Sequence, residues 1–550
     1  MGFTYPIVSA GVSIKEVDYS NYVAKISNTI VAVVGTAEWG PEDTNVFVPD
    51  EPSLIGTFGI PPAIKNDANR AKKLGMHGAI VALKRTGQLY YHRITDGNAA
   101  AASYALQSDD PAVVMTATAK YKGKLGNRLR IRISNPVDTT ATGTPSKLFQ
   151  LEVLGDLFNN GTYTVLERYA TVSNEAADVA AVEAATLNTF RYTTYLEINK
   201  VSKYVVLTIP DPLPADTRPA NTNLTTYPNG NPLTGGNNGD DAVADNDVIG
   251  SESAGTGLYA FADRESIDVN ILWAPGWSGA NAVVWQKLTE IVEGRRDCVS
   301  IYDAPDGLTA QQFDDFLNGV GSYTSNYVIN SSYACGPAYP WTNYSDNYNK
   351  GEQINLPPGC GQVFAIGETD TVAGPHWAAM GVVRGRLTYA IGPTMALKLG
   401  ERELLQGPGH IGNPIIKMGA YGTVMWGQKT GQRHASALDR VNVRRMLNVL
   451  EKSIAAAVIV LIGEFNDPLT WLRFKSICGP ALGAMLAARG ITSYTLTCDA
   501  TTNTADAIAN KELRGSISVI PNEVAERIAI TFIVDRASNT VTFNEFTQAA

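Results

Sequence analysis

The sequence has little of what a disulfide-linked, membrane-spanning or nucleic-acid-binding protein needs. Its 550 residues contain five widely spaced cysteines and no CxxC pair, so we expect reduced thiols and synthesis in the cytoplasm. The longest apolar run, residues 454–462, is far shorter than the ~20 residues of a membrane span, and we interpret it as a buried helix. The formal net charge of −9 argues against a nucleic-acid surface. The polar N-terminus, with Pro6 and Gly11, predicts no signal peptide.

Motifs for catalysis, cofactor binding and metal binding are also missing. The sequence has no GxxxxGK[ST] loop and no GxSxG elbow. Its five histidines form no HExxH motif and no paired ligand spacing. His376, near Asp370, is expected to be an ordinary loop histidine, because the sequence shows no nucleophile or orienting partner for it. We therefore predict no catalytic residue, no cofactor and no metal site.

Residues 407–412 match the GxGxxG pattern of dinucleotide-binding loops, but their context is wrong. The motif follows a helix-like segment, 396–405, where a strand is required. Asn413 and Pro414 then block the helix whose N-terminus would hold a phosphate. The pattern indicates a turn at the entrance of a strand.

The fold class predicted is an α/β core, mainly a parallel sheet with flanking helices, with an inserted all-β domain and extended N- and C-terminal strand arms. Core strands are expected at 29–36, 79–83 and 89–94, and strand–helix alternation follows at 267–320. Between them, short alternating strands indicate a sandwich or barrel that ends in a polar loop, 210–246. The predicted strands of this β region are 113–118, 129–134, 148–154, 162–169, 192–198 and 204–209, with one helix at 174–187.

The last quarter of the chain predicts two long helices and then strands. Leu447, Leu450, Ile454, Val458 and Leu461 form one apolar stripe on the first helix. The second helix begins with an N-cap at 466–467 before Pro468, and Gly490 is a candidate left-handed C-cap. Strands are expected at 513–520, 528–534 and 540–546. The predicted segments are an arm and linker (1–28), core (29–110), β domain (111–250), α/β core (251–435), a helical/β domain (436–535) and an arm (536–550).

Both chain ends have the pattern of strands that are too short to be stable alone. They are expected to join sheet edges of their own subunit or of neighbours, and strand addition between subunits makes polymers. The candidate arm residues are Val8, Val12, Ile14 and Val17 at the N-terminal end, and Val541, Phe543 and Phe546 at the C-terminal end.

Several segments, in the same order along the chain, resemble segments of contractile tail sheath proteins of phages and phage-like injection machines. Residues 441–447 (VNVRRML), continuing to Glu451, resemble the family's marker helix, and 464–467 (EFND) with Trp471 resemble the start of the next one. Upstream, 412–415 (GNPI) and 422–430 (GTVMWGQKT) are similar to the family's NPI and WG-KT block. The resemblance covers roughly residues 11–82 and 268–546.

This resemblance implies a structural subunit that polymerises around a tail tube in six-fold rings and contracts to drive the tube through the host envelope for DNA ejection. Its implied partners are other copies of itself, the tail tube protein, and the baseplate and tail terminator proteins, without nucleic acid or membrane insertion. The implied location is the virion, after assembly in the host cytoplasm. One alternative is an α/β enzyme, a dehydrogenase or hydrolase, with an inserted β domain. Another is a different tail or capsid structural protein, which would lack the series of motifs from Gly412 to Trp471. Candidate ion-pair or partner contacts are Arg440, Arg444, Arg445, Lys511 and Arg514.

Overall fold

A computed structural model describes residues 29–109, 111–134, 148–174, 193–211 and 218–530. The predicted arms, with Val8, Val12, Ile14, Val17, Val541, Phe543 and Phe546, lie outside the described residues. So does all but the first residue of the predicted helix at 174–187. Of the predicted strand at 528–534 only 528–530 are described, and these three residues are not in a strand.

Residues 29–94 begin the central body. The apolar run at its start forms a strand whose residues 31–34 have no exposed surface, and the strand expected at 89–94 is also confirmed. The strand expected at 79–83 is wrong. These residues belong to a helix buried on most sides, and a short apolar run has the same pattern in a buried strand and a buried helix. The elements are β1 (Val31–Gly35), β2 (Asn45–Val48), α1 (Glu51–Phe58), α2 (Gly75–Thr86) and β3 (Leu89–Arg93).

Residues 95–250, the β region, form two sheets around their own apolar cluster. Most predicted strands are confirmed, but the one at 192–198 is wrong beyond its first residues. There the Glu197 carboxylate accepts the Thr194 N–H at 3.0 Å, which starts a helix. The elements are β4 (Ser103–Gln107), β5 (Val113–Ala119), β6 (Leu129–Ser134), β7 (Phe149–Gly155), β8 (Thr164–Ser173), β9 (Thr193–Thr194), α3 (Tyr195–Val201), β10 (Val205–Thr208), β11 (Asn231–Pro232) and α4 (Asp245–Ile249).

Residues 251–435 complete the central body with alternating strands and helices. The helix at 310–318 begins with a capping box, because the Thr309 hydroxyl accepts the Gln312 N–H and the Gln312 side chain accepts the Thr309 N–H. The elements are β12 (Ile271–Trp273), α5 (Val283–Arg295), β13 (Val299–Ile301), α6 (Ala310–Asn318), β14 (Ala338–Tyr339), β15 (Thr342–Asp346), β16 (Glu352–Leu356), α7 (Gly359–Val372), α8 (Gly381–Arg384), β17 (Gly392–Pro393), α9 (Leu399–Gln406), β18 (Asn413–Met418) and β19 (Gly422–Met425).

The central body is organised around a five-stranded sheet in the order β13-β12-β1-β3-β2. Its first four strands run parallel, and β2 pairs antiparallel with β3 at the edge. One apolar cluster lies on each face, and they include Val33 and Trp273 on one side and Val34 and Leu272 on the other. The sheet therefore combines strands that precede the β region in the sequence with strands that follow it.

Residues 436–530, the C-terminal region, contain the two long helices and a hairpin. The Asp467 carboxylate accepts the Thr470 N–H at 2.8 Å, so the predicted N-cap is confirmed. The predicted C-cap is wrong, because Arg489 takes the left-handed conformation (φ 65°) and Gly490 begins the turn into a strand missed by the sequence analysis. The elements are α10 (Val441–Val458), α11 (Pro468–Ala487), β20 (Ile491–Thr497), α12 (Ala505–Ala509) and β21 (Ser516–Pro521).

Candidate assembly interface

The connection between α10 and α11 exposes apolar side chains in close succession. The interpretation of residues 454–462 as a buried helix is wrong, because none of these residues is fully buried and Ile462 is 81% exposed. Phe465 follows in the same loop and is 84% exposed. Single exposed apolar residues are normal, but a contiguous set marks an interaction surface. We call this set the apolar connection; it comprises Ile459, Val460, Ile462, Phe465, Leu469 and Leu472.

The hairpin of β20 and β21 is a sheet of only two strands, with no third strand among the described residues. One face packs on α10 and α11 through half-buried side chains that include Ile517 and Val519. The opposite face is exposed, and Ile520 is 59% accessible. Two strands alone are marginally stable, and unpaired edges are templates for further strands. Among the described residues the outer edges of this hairpin are therefore unpaired and could accept further strands.

The five candidate ion-pair residues fall into two groups. Arg444 and Arg445 on α10 are buried. Arg444 donates to Asn448 at 2.8 Å and to Glu451 at 3.1 Å, and its guanidinium lies over the Tyr333 ring.

Arg445 makes a bidentate pair with Asp370, in which Nη1 lies 2.9 Å from Oδ1. Arg440, the N-cap residue of α10, contacts both carboxylate oxygens of Glu526 at 2.7 and 2.9 Å. Lys511 and Arg514 remain on the surface, where Arg514 pairs with Glu512. The pair of Arg445 and Asp370 thus joins distant parts of one chain, and such a long-range pair leaves no signal in a single sequence.

The backbone of the GxGxxG match at 407–412 is not oriented to bind a phosphate. Nζ of Lys429 donates to the carbonyl oxygens of Gln406, Gly407 and His410 at 2.7–2.9 Å. A phosphate loop must turn its N–H groups toward the ligand, whereas this loop turns carbonyl groups toward an ammonium. The segment follows α9 and leads into β18, as the sequence context predicts.

Other candidate reactive groups are placed in inert surroundings. Burial lowers the pKa of His376, and it raises the pKa of the Cys298 and Cys335 thiols to about 12, so neither thiol is a nucleophile near neutral pH. Within the described ranges, no cluster of His, Cys, Asp or Glu is arranged to hold a metal ion. No helix in the described part of the chain combines the length and the hydropathy of a bilayer span.

The curated proteins that the sequence matches are tail sheath proteins of phages. The chain is 27% identical over 288 residues to the tail sheath protein of Enterobacteria phage T4, covering 50% of this chain and 43% of that protein. It is 27% identical over 293 residues to the tail sheath protein of Vibrio phage KVP40, with the same coverage. The chain is similar to phage tail sheath proteins. It matches less than half the length of these curated relatives, and no family model matches it.

Solved structures show the same fold over a larger part of the chain. The sheath tail protein of Desulfitobacterium hafniense matches with a TM-score of 0.56 and 12% identity, covering 94% of this chain and 100% of that one. The sheath tail protein of Listeria innocua also matches with a TM-score of 0.56 and 12% identity, covering 90% and 95%. The chain is thus a mixed α/β protein with several sheets, like these sheath tail proteins. The predicted resemblance to sheath proteins is confirmed, and the enzyme alternative gains no support.

Proposed function

We propose that this chain is the structural subunit of a contractile tail sheath. It polymerises around a tail tube, and contraction of the polymer drives the tube through the host envelope. The observation that carries this proposal is the C-terminal region of a chain similar to sheath proteins. It exposes the apolar connection, and its hairpin has no further strand in the part of the chain that the structure describes. In this proposal the subunit works by assembly and not by catalysis.

Assembly proceeds by strand addition in this proposal. The N-terminal arm, with Val8, Val12, Ile14 and Val17, and the C-terminal arm, with Val541, Phe543 and Phe546, add strands to hairpins of neighbouring subunits. Each contact joins two different surfaces, and a repeating contact of this type produces open helical tubes. The subunits stack as six-fold rings, and the apolar connection is buried against the neighbouring molecule.

Contraction needs no nucleotide in this scheme, because the extended tube is metastable. A trigger at the baseplate lets each ring rotate into a more tightly packed state, and the arms pass the change to the next ring. Residues 17–28 and 536–540 act as the hinges. Residues 111–250 form a domain inserted into the core and lie on the outside. The partners are the tube, baseplate and terminator proteins of a virion tail assembled in the host cytoplasm.

Electron microscopy of the purified full-length chain tests the proposal. We expect tubes or stacked rings, whereas small discrete oligomers alone would contradict it. Deletion of residues 1–17 or 540–550 should leave a folded subunit that no longer forms ordered tubes. If both deletion variants formed normal tubes, the arms would not be the assembly elements.

A further inference from the structure

The two ends of the described chain are both fixed to the beginning of helix α10. Thr29, the first described residue, contacts the ion pair of Asp370 and Arg445. Near the other end, Glu526 pairs with Arg440. We call the first group, Thr29 with Asp370 and Arg445, the inner anchor, and the second, Arg440 with Glu526, the outer anchor. Thr29 directly follows the proposed N-terminal arm and linker, 1–28, and Glu526 precedes the proposed C-terminal arm, 536–550, by about ten residues.

The inner anchor is buried and bidentate. The Thr29 hydroxyl donates to the Asp370 carboxylate and accepts from Nη2 of Arg445 at 3.4 Å. The side chains of Arg445 and Asp370 are 6% and 8% exposed. A charged pair that is bidentate and excluded from water is strong, and removing one partner leaves an uncompensated buried charge. The position of Thr29 is therefore fixed relative to α10.

The outer anchor is also bidentate, but it is open to solvent. The side chains of Arg440 and Glu526 are 28% and 29% exposed. The same segment is held a few residues earlier, because the Asn522 N–H donates to the Gly490 carbonyl at 3.1 Å and its side-chain amide donates to the Arg489 carbonyl. An ion pair with this exposure is screened by salt, whereas the inner anchor is shielded.

One rigid element joins the two anchors. Arg440 and Arg445 are five residues apart at the start of an 18-residue helix, a rise of about 7.5 Å along its axis. We infer that α10 couples the two arms mechanically, so that a load on the N-terminal arm passes through Asp370 and α10 to Glu526 and the C-terminal arm. This inference rests on the proposed sheath function and makes Thr29, Asp370 and Glu526 positioning residues for assembly.

The test uses the full-length chain and three variants that keep the shape of the side chain. Glu526→Gln opens the outer anchor. Thr29→Val removes the hydroxyl of the inner anchor while the pair of Arg445 and Asp370 stays intact, so that no buried charge is left alone. Glu451→Gln is the matched control, because Glu451 pairs with Arg444 of the same helix at 3.1 Å and holds no chain end.

We expect all three variants to melt within about 3 °C of the wild-type subunit. Glu526→Gln should speed hydrogen exchange of the amides at 522–527 about fivefold. The reason is that an exposed ion pair contributes up to about 1 kcal/mol, which corresponds to about a factor of five in the local opening equilibrium. Glu526→Gln and Thr29→Val should each lower the fraction assembled at a fixed subunit concentration, also about fivefold, while Glu451→Gln assembles normally.

The outcomes separate this inference from the function on which it rests. If the wild-type chain forms no tubes, the proposed function fails and the inference fails with it. If the wild type forms tubes and both anchor variants assemble like Glu451→Gln, only the inference is overturned. Assembly lost together with a large drop in melting temperature would also overturn it, because the residues would then only stabilise the subunit.

Discussion

The central body and the C-terminal region differ in how completely each covers its own apolar surface. In the central sheet Val31, Val33, Ile271 and Trp273 have no exposed surface. The C-terminal region holds nearly half of the large exposed apolar side chains in the described part of the chain, although it is a much smaller share of that part. The central sheet is buried within the body, whereas the C-terminal region exposes Phe465 and carries a hairpin that has no further strand among the described residues.

This difference separates two tasks that are encoded in one chain. Burying apolar surface stabilises a fold by roughly 25 cal/mol per Å², and the central body has already used that free energy within the subunit. The C-terminal region leaves part of its apolar surface exposed, and the proposed function assigns this surface to contacts between molecules. Substitutions in the body should therefore change the stability of the subunit, and substitutions on the apolar connection should change association.

The largest effect on stability is expected at the border of the two regions. Asp370→Ala removes the carboxylate that compensates Arg445, which is 5% exposed, and should cost about 3–5 kcal/mol in the free energy of unfolding. Glu451→Ala is the control, because Glu451 is 54% exposed and its loss should cost at most about 1 kcal/mol. Urea denaturation of both variants measures the difference, and equal costs would mean that the Asp370 pair is effectively solvated.

The next largest effect on stability is expected when a leucine is replaced by alanine in the central body, compared with the same replacement in the C-terminal region. Leu272→Ala in β12 removes a side chain with no exposed surface and should cost about 2–5 kcal/mol. Leu472→Ala in α11 makes the same change at a site that is 63% exposed and should stay within about 0.5 kcal/mol of wild type. Thermal or urea unfolding of the two variants measures both values. A comparable loss at Leu472 would show that α11 is more fully packed than the structure indicates.

A buried carboxyl group makes the central body sensitive to pH. Burial raises the pKa of Asp303 from its ordinary value of 3.8 to about 6, although Trp273 and the amides of Gly276 and Gly359 donate hydrogen bonds to it. The folded state thus holds this proton to a higher pH than the unfolded chain. The stability that Asp303 contributes is complete below pH 3.8 and is lost as the pH rises through about 6.

Asp303→Asn removes this titration and isolates its effect. The wild type should lose up to about 3 kcal/mol of stability relative to the variant between pH 4 and pH 7. Urea denaturation at a series of pH values measures both curves. Parallel curves for the two proteins would mean that Asp303 is ionised in the folded state throughout this range.

Local sequence patterns predicted many of the strands, helices and caps, but not which apolar residues are exposed. The strand at 31–35 and the N-cap at Asp467 follow from an apolar run and from capping chemistry, which act within a few residues. Helix α2 could not be distinguished from a strand, because burial on most sides removes its helical periodicity. The same limit applies to Ile462, since an apolar residue has the same signal whether it faces a core or a partner.

The anchors were inaccessible to sequence reasoning for a different reason. Thr29 and Asp370 are separated by 341 positions, and Asp370 and Arg445 by 75, so only the folded chain brings the three side chains together. The resemblance to sheath proteins supplied the function, but it carried no information about which carboxylate pairs with which arginine. Ion pairing depends on tertiary geometry within a few ångströms, whereas strands and caps depend on local spacing.

The smallest effect on stability should accompany a large effect on association. Phe465→Ser replaces a side chain that is 84% exposed, so the free energy of unfolding should change by less than about 0.5 kcal/mol. If the apolar connection is buried in the polymer, the same change removes a large aromatic contact and should raise the subunit concentration needed for assembly at least about tenfold. Phe47→Ser in β2 is the matched control, because Phe47 is also exposed, at 47%, but lies on the central body. Sedimentation of the assembled fraction across a concentration series measures both variants. If they shift the threshold equally, the contrast between the two regions does not extend to assembly, and the apolar connection is an ordinary solvent-facing loop.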